Sequence, residues 1–321
     1  GVQTCALPIL KIELAMQNRR SFLKKSLIGG GLLAVGQFPF QSFAKEDVKR
    51  LTILHTNDVH SRLEPFPMDG SRHQGEGGVV ARMALINKIR AEQEHVLLLD
   101  AGDIFQGTPY FNLYNGEPEI KAMSLMGYDA VTMGNHDFDA GIEGFAKQLP
   151  LANFPVLIAN YDFTNTVLEH KTQPYKIFNK GGLKIGVFGI GIELKGLVGE
   201  AQYQNTHYLE PIQIANATAA MLKRKESCDM VICLSHLGYE YEGRKVSDLI
   251  LAKQSENIDL IIGGHTHTFL DQPTILTNKQ GKEVVINQVG WAGLRLGRLD
   301  YEFGNFSRKN LAKAHSVIIS K

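Results

Sequence analysis

The chain has 321 residues, of which 44% are hydrophobic and 21% charged, and a formal charge of +1. Those are the proportions of a globular protein long enough to bury a substantial core, and they offer no electrostatic footprint for nucleic acid or an anionic membrane as partner. Five basic side chains (Lys11, Arg19, Arg20, Lys24, Lys25) and one acid (Glu13) lie in residues 1–44, which leaves 29 basic and 32 acidic residues beyond them and a mildly acidic main body.

The first elements in chain order are processing segments rather than fold. Gly1-Val-Gln-Thr-Cys-Ala-Leu-Pro-Ile9 matches the translation of a common sequencing-adapter oligonucleotide, so residues 1–15 are read as a non-native leader. Met16-Gln-Asn-Arg-Arg-Ser-Phe-Leu-Lys-Lys25 is a basic n-region that resembles the twin-arginine export pattern. Ser26–Gly36 is apolar but shorter than the roughly 20 residues of a bilayer span. Ser42-Phe43-Ala44 offers the small residues of a cleavage site, so residues 16–44 are expected to be a signal peptide and 45–321 the folded domain. The expected location is the periplasm or another exported compartment, with no stable membrane span after processing. Cys5 falls in the leader; Cys228 and Cys233 flank a predicted strand and read as inert core thiols, since their spacing matches no zinc pattern.

Within 45–321, short aliphatic or β-branched runs predict strands over 51–54, 96–99, 130–133, 155–159, 184–190, 230–234, 258–262, 283–288 and 296–303. Stretches of helical character lie at 78–92, 117–126, 142–149, 212–225 and 244–253. This alternation predicts an α/β domain of sheets covered by helices. Five strands run into loops rich in Gly, Asn, Asp and His: Asn57-Asp-Val-His60, Gly102-Asp103, Gly134-Asn-His-Asp-Phe-Asp139, Ser235-His236 and Gly263-Gly-His-Thr-His267. Ligands gather at the carboxyl ends of strands in such sheets.

Together these loops offer two carboxylates (Asp58, Asp103), one amide (Asn135) and four imidazoles (His60, His236, His265, His267). That is the donor set a pair of divalent ions needs when thiolates are absent. Two ions about 4 Å apart can activate a water between them and clamp the oxygens of a phosphoryl group. Other residues have plainer readings. His55, within the first strand, reads as a core histidine, and Asp100 and Asp137 as structural neighbours of ligands. Arg82, Arg295 and Arg298 read as ion-paired, and Phe105 and Trp291 as core or rim.

In their order along the chain, Asp58-x-His60, Gly102-Asp103, Gly134-Asn-His-Asp137, His236 and Gly264-His-x-His267 resemble the calcineurin-like metallophosphoesterase signature. Leu54-His-Thr-Asn-Asp-Val-His60, Gly102-Asp-Ile-Phe-Gln-Gly-Thr108 and Gly134-Asn-His-Asp-Phe-Asp139 narrow the resemblance to the exported 5'-nucleotidase branch, over essentially all of 51–303. It implies a four-layer sandwich of two mixed β-sheets flanked by helices. It further implies two divalent metal ions (Zn, Mn or Fe), one held by Asp58, His60, Asp103 and His267 and the other by Asp103, Asn135, His236 and His265. His136 would face the substrate phosphate, oriented by Asp139, whose alternative reading is a helix N-cap. The implied function is that of a metal-dependent phosphatase acting on nucleotides or related phosphomonoesters. Alternatives with the same metal pair are a cyclic-nucleotide phosphodiesterase, a thiosulfohydrolase-like enzyme, or a catalytic subunit completed by another polypeptide; a catalytically silent docking module is the non-enzymatic reading.

Two departures stand out. Bacterial members of this branch commonly place an amide at the position matching His267. They also carry a C-terminal domain that stacks the base and grips the phosphate, and no counterpart follows in this sequence. A separately encoded substrate-binding domain, or broader selectivity, is therefore expected.

Overall fold

Successive side chains of a strand point to opposite faces, and this period of two sorts the apolar residues into three cores. The structure, a computed structural model, describes residues 48–304 and 309–320. The leader and signal segments read over 1–44 lie outside the described residues. The first half comprises β1 (Lys49–Thr56), α1 (Val79–Glu92), β2 (Val96–Asp100), α2 (Pro109–Tyr114), α3 (Glu117–Met126), β3 (Ala130–Val131) and α4 (Gly141–Gln148). Next come β4 (Tyr161–Asp162), β5 (Tyr175–Lys180), β6 (Leu183–Ile190), α5 (Glu200–Tyr203), β7 (His207–Tyr208), α6 (Pro211–Arg224) and β8 (Met230–Ser235). The chain closes with α7 (Asp248–Gln254), β9 (Leu260–Gly263), β10 (Thr274–Thr277), β11 (Glu283–Asn287), β12 (Arg295–Phe303) and β13 (Lys309–Ile318).

One sheet has the order β13-β12-β1-β2-β3 and the other β10-β11-β9-β8-β6-β5, with β4 and β7 forming a small ribbon. Both large sheets are mixed: β1, β2 and β3 are parallel, as are β6, β8, β9 and β11, while β12, β13, β5 and β10 pair antiparallel. Leu51 and Ile53 of β1, Leu97 and Leu99 of β2, and Met230, Ile232 and Leu234 of β8 share the core between the sheets. The opposite faces of β1 and β2, through Leu54, Val96 and Leu98, meet Ile86, Ile120, Met123 and Phe145 of α1, α3 and α4. Val231 and Cys233 meet Ala215, Ala219, Leu222 and Leu251 of α6 and α7. The result is helix, sheet, sheet, helix, the four layers expected.

Parallel strands joined through helices place the carboxyl ends of β1, β2 and β3 on one rim of their sheet, and those of β8 and β9 on one rim of theirs. The rims meet, as the His265 amide donating to Asp58 Oδ1 at 2.9 Å shows.

Several boundaries differ from expectation. The helix predicted from 244 starts at Asp248, because Ser247 is extended and its hydroxyl accepts from the Ile250 amide. The strand predicted over 155–159 makes only single bridges, Val131 with Val156 and Leu157 with Gln173. β5, β10 and β13 lie outside the strands expected from the sequence; nearly all their residues are only half-buried or exposed, so no continuous aliphatic run marks them. Cys228 and Cys233 are buried free thiols, with Cys233 inside β8 rather than beside it. Among the described residues no helix is long and apolar enough to cross a membrane.

Candidate metal centre

The loops after β1, β2 and β9 turn sharply enough to aim their side chains inward, and they do so in an unfavourable part of backbone space. Asp58, His60, Asp103, His265 and His267 have φ of 50°, 49°, 57°, 71° and 52°. Non-glycine residues there cost of order 1–3 kcal/mol each, and they persist where surrounding structure over-determines them. Two glycines make the crowding possible. A Cβ on Gly134 would overlap Asp103 Oδ1 and lie 2.6 Å from His236 Nε2. One on Gly264 would lie 2.8 Å from His236 Nδ1 and 3.0 Å from the Ala101 carbonyl.

The seven candidate ligands converge as two groups. One donor atom each from Asp58, His60 and His267 lie within 4.8 Å of one another, and so do donors from Asp103, His236 and His265. Asn135 joins the second group, its Oδ1 2.7 Å from His265 Nδ1. Asp103 Oδ2 borders both, 3.8 Å from His60 Nε2 and 3.1 Å from His236 Nε2.

The proton positions suit cations. His60 Nδ1 faces the Phe105 carbonyl at 3.2 Å and His236 Nδ1 the Ala101 carbonyl at 2.7 Å. A carbonyl only accepts, so each Nδ1 carries the proton and each Nε2 can present a lone pair to the cluster. His236 is fully buried and its Nε2 has no hydrogen-bond partner. His60 Nε2 lies 2.9 Å from His267 Nε2, about the separation of two ligands at a right angle on an ion with bonds of roughly 2.0–2.1 Å. Two carboxylates, one amide oxygen and four imidazoles fit a pair of divalent ions.

The electrostatics of the bare protein point the same way. Burial by itself would lower the His236 imidazole, but the Asp103 and Asp58 carboxylates outweigh it and push it up to about 10. Burial also opposes the ionised form of Asp103, which His236 nonetheless holds well below the usual carboxylate range. His265 is lowered to about 4 by burial and by neighbouring His236. The centre therefore demands positive charge, which a proton on His236 meets when no cation does.

Supporting groups fix the carboxylates. The Asn57 Nδ2 donates to Asp58 Oδ2 and to the Gly290 carbonyl, both at 2.6 Å, and its Oδ1 accepts from the Val289 amide. Asp137 accepts four backbone N–H groups, from Asp103 (3.0 Å), Ile104 (2.9 Å), Phe105 (3.2 Å) and Gly134 (2.8 Å). It thereby ties the loop after β2 to the loop after β3. Asp100 likewise accepts from Thr56 Oγ1 and the Gly102 amide.

His136 Nδ1 sits 2.8 Å from Asp139 Oδ2. The N-cap of α4 is Ala140, without a side-chain cap bond, so Asp139 does not cap that helix. His136 shares a cleft of about 200 Å³ with His60, Arg62, Gln106, Gly107, His267, Trp291 and Ala292. Trp291 stacks on His267 at 5.8 Å and 10°, and both residues line this cleft. Phe105 and His55 are fully buried, with His55 Nε2 2.9 Å from Asn287 Nδ2. Arg295 pairs with Asp271 and Arg298 with Asp300, whereas Arg82 is buried in the helix-covered side of the first sheet. Arg62 was not singled out in the sequence; its only signal was its place two residues after His60.

Known proteins resemble this chain in sequence and in fold. The family model for calcineurin-like phosphoesterases matches residues 51–269. A 5'-nucleotidase of Vibrio cholerae is 33% identical over 315 residues, covering 89% of this chain and 56% of that protein. Among solved structures, a 5'-nucleotidase precursor from Thermus thermophilus superposes with a TM-score of 0.76 at 32% identity, over 84% of this chain and 55% of that one. The NAD nucleotidase of Haemophilus influenzae does so with a TM-score of 0.77 at 28% identity, over 85% and 51%. The chain spans about half the length of these relatives. With its layered sheets, its converging donor loops and a family match over most of the described residues, the chain belongs to the calcineurin-like phosphoesterase family.

Proposed function

We propose that this chain is a phosphomonoesterase of the 5'-nucleotidase kind, in which Asp58, His60, Asp103 and His267 hold one divalent ion and Asp103, Asn135, His236 and His265 the other. The observation that carries the reading is Asp103 Oδ2 lying between His60 Nε2 and His236 Nε2, where one carboxylate can serve both sites. When bound, such a pair supplies Lewis acidity that polarises a phosphoryl group and acidifies a water; zinc, manganese and iron all suit these donors.

The protein's own residues supply the rest. Asp139 engages His136 Nδ1 and so fixes the ring, leaving Nε2 to meet a phosphoryl oxygen as charge grows there. Asp137 and Asn57 hold the two metal-binding aspartates in place. The cleft, about 200 Å³, is below the roughly 300–1,000 Å³ usual for small-molecule pockets. That supports a site which seats the phosphoryl end and leaves the leaving group outside, with base recognition supplied by another domain or polypeptide.

The test is a substrate panel on the protein beginning at Lys45, loaded with Mn²⁺ or Zn²⁺. AMP and a simple aryl phosphate should give kcat/KM values within about two decades, since base stacking is worth roughly 1–3 kcal/mol. A strong preference for AMP would mean that this domain builds its own base pocket. Turnover of only cyclic nucleotides or thiosulfate esters would replace the phosphomonoesterase reading. We further propose that residues 16–44 direct export by the twin-arginine route and that 45–321 is the mature metallophosphoesterase domain. Replacing Arg19 and Arg20 by lysine should leave precursor in the cytoplasm, and unchanged periplasmic yield would point to a different route.

A further inference from the structure

Arg62 follows the turn that presents Asp58 and His60, and its side chain lines the cleft beside His136 and His267. The guanidinium lies over Phe66, with Cζ 4.2 Å from the ring centroid. Phe66 in turn meets Trp291 edge-on at 5.9 Å, and Trp291 stacks on His267. A continuous aromatic wall thus runs from Arg62 to the candidate metal centre. Arg50, Arg295 and Arg298 each pair with a carboxylate; Arg62 makes no such pair among the described residues, and its Nε is buried without a hydrogen-bond partner.

Arg62 is half-buried, and a guanidinium N–H held out of water without an acceptor is costly until a partner arrives. Placed over an aromatic face, the guanidinium keeps its planar fork of N–H donors available at the edge. That edge matches phosphate oxygens better than any other group of the substrate class considered above.

We propose that Arg62 is a phosphate-binding residue that grips a phosphoryl oxygen of the ester, and of the inorganic phosphate left after hydrolysis. This rests on the phosphomonoesterase reading and deepens it: phosphate affinity is built into this domain, so an added clamp would govern recognition of the leaving group and not of the phosphate. Esters presenting a dianionic phosphoryl group would be favoured over diesters, which offer fewer charged oxygens to His136 and Arg62 together.

The experiment is calorimetric binding of inorganic phosphate to the metal-loaded wild type, R62Q and R62K, with metal content and Tm measured for each. Phosphate binding to R62Q should weaken about tenfold to a hundredfold, the usual scale for a lost charge-assisted hydrogen bond. R62K keeps the charge without the fork and should fall between the two. Metal content and Tm should be the same in all three. Phosphate affinity in R62Q within about twofold of wild type overturns the assignment. So does an equal loss in R62Q and R62K accompanied by lost metal, because the arginine would then be holding the loop. If the metal-loaded wild type neither binds phosphate nor hydrolyses a phosphomonoester, the underlying reading fails as well, which separates the two failures.

Discussion

Asp137→Asn isolates the coupling between the two loops that carry Asp103 and Asn135. In the wild type, Oδ2 accepts from the Asp103 and Gly134 amides and Oδ1 from those of Ile104 and Phe105. Asparagine retains one acceptor oxygen, and its NH2 group must face two of these donors. Whichever way the amide turns, two buried N–H groups lose their acceptor. A buried N–H left without its acceptor costs about 1–3 kcal/mol, so the variant should be destabilised by about 2–6 kcal/mol. Set against a typical stability of about 5–15 kcal/mol, that loss is large enough to measure without ambiguity. Urea unfolding of chelator-treated protein is the appropriate assay, because bound metal would add its own stabilisation and mask the effect. The same variant should also need about ten- to a hundredfold more metal for half-loading, as expected when a ligand's support is removed. A destabilisation below about 1 kcal/mol would refute the claim that this carboxylate holds the two loops together.

Three further outcomes are expected. Asp103→Asn should lose both metal ions and activity together, because the shared carboxylate borders both donor groups; metal analysis that still finds two ions, with normal turnover, removes the bridging role. His136→Ala should keep its metal content but turn over about a hundredfold more slowly or worse, and turnover within about twofold of wild type would leave His136 without a catalytic part. Burial holds His55 at about 3, against an ordinary value of 6.5, so the unfolded chain takes up this proton first. Stability should therefore fall as pH drops from about 6.5 toward 3 and be unaffected by this group above that window, with a ceiling on the order of 5 kcal/mol. The difference between wild type and His55→Gln in urea unfolding across that range reads it, and a flat difference contradicts a neutral buried His55.

Much of the fold was legible because central parallel strands, buried on both faces, are written as unbroken aliphatic runs such as Val96–Leu99 and Met230–Leu234. The edge strands were not: in β13 intermediate and exposed residues are interspersed along Lys309–Ile318, so the pairing with β12 carries the strand more than its own composition does. The donors were legible for a similar reason. Gly, Asp, Asn and His collected at strand ends stand out against apolar neighbours, and three ordinary loops do not need four imidazoles between them.

The sequence alone determined which side chains could serve as donors and, through strand order, that they would share a rim. Only the tertiary structure decided how they pair. Asp58 receives the His265 amide from 207 residues away, Asp103 settles between imidazoles of two different sheets, and Trp291 lies against His267. Arg62 was just another charged residue of a loop until the fold set it on Phe66 at the mouth of the cleft. Asp137 likewise became a tie between loops only when four amides closed around it. Residue type and spacing set chemical capacity and local geometry. The partners of a side chain across two packed sheets depend on how those sheets meet, and that is settled by burial of the whole core rather than by any short stretch of chain.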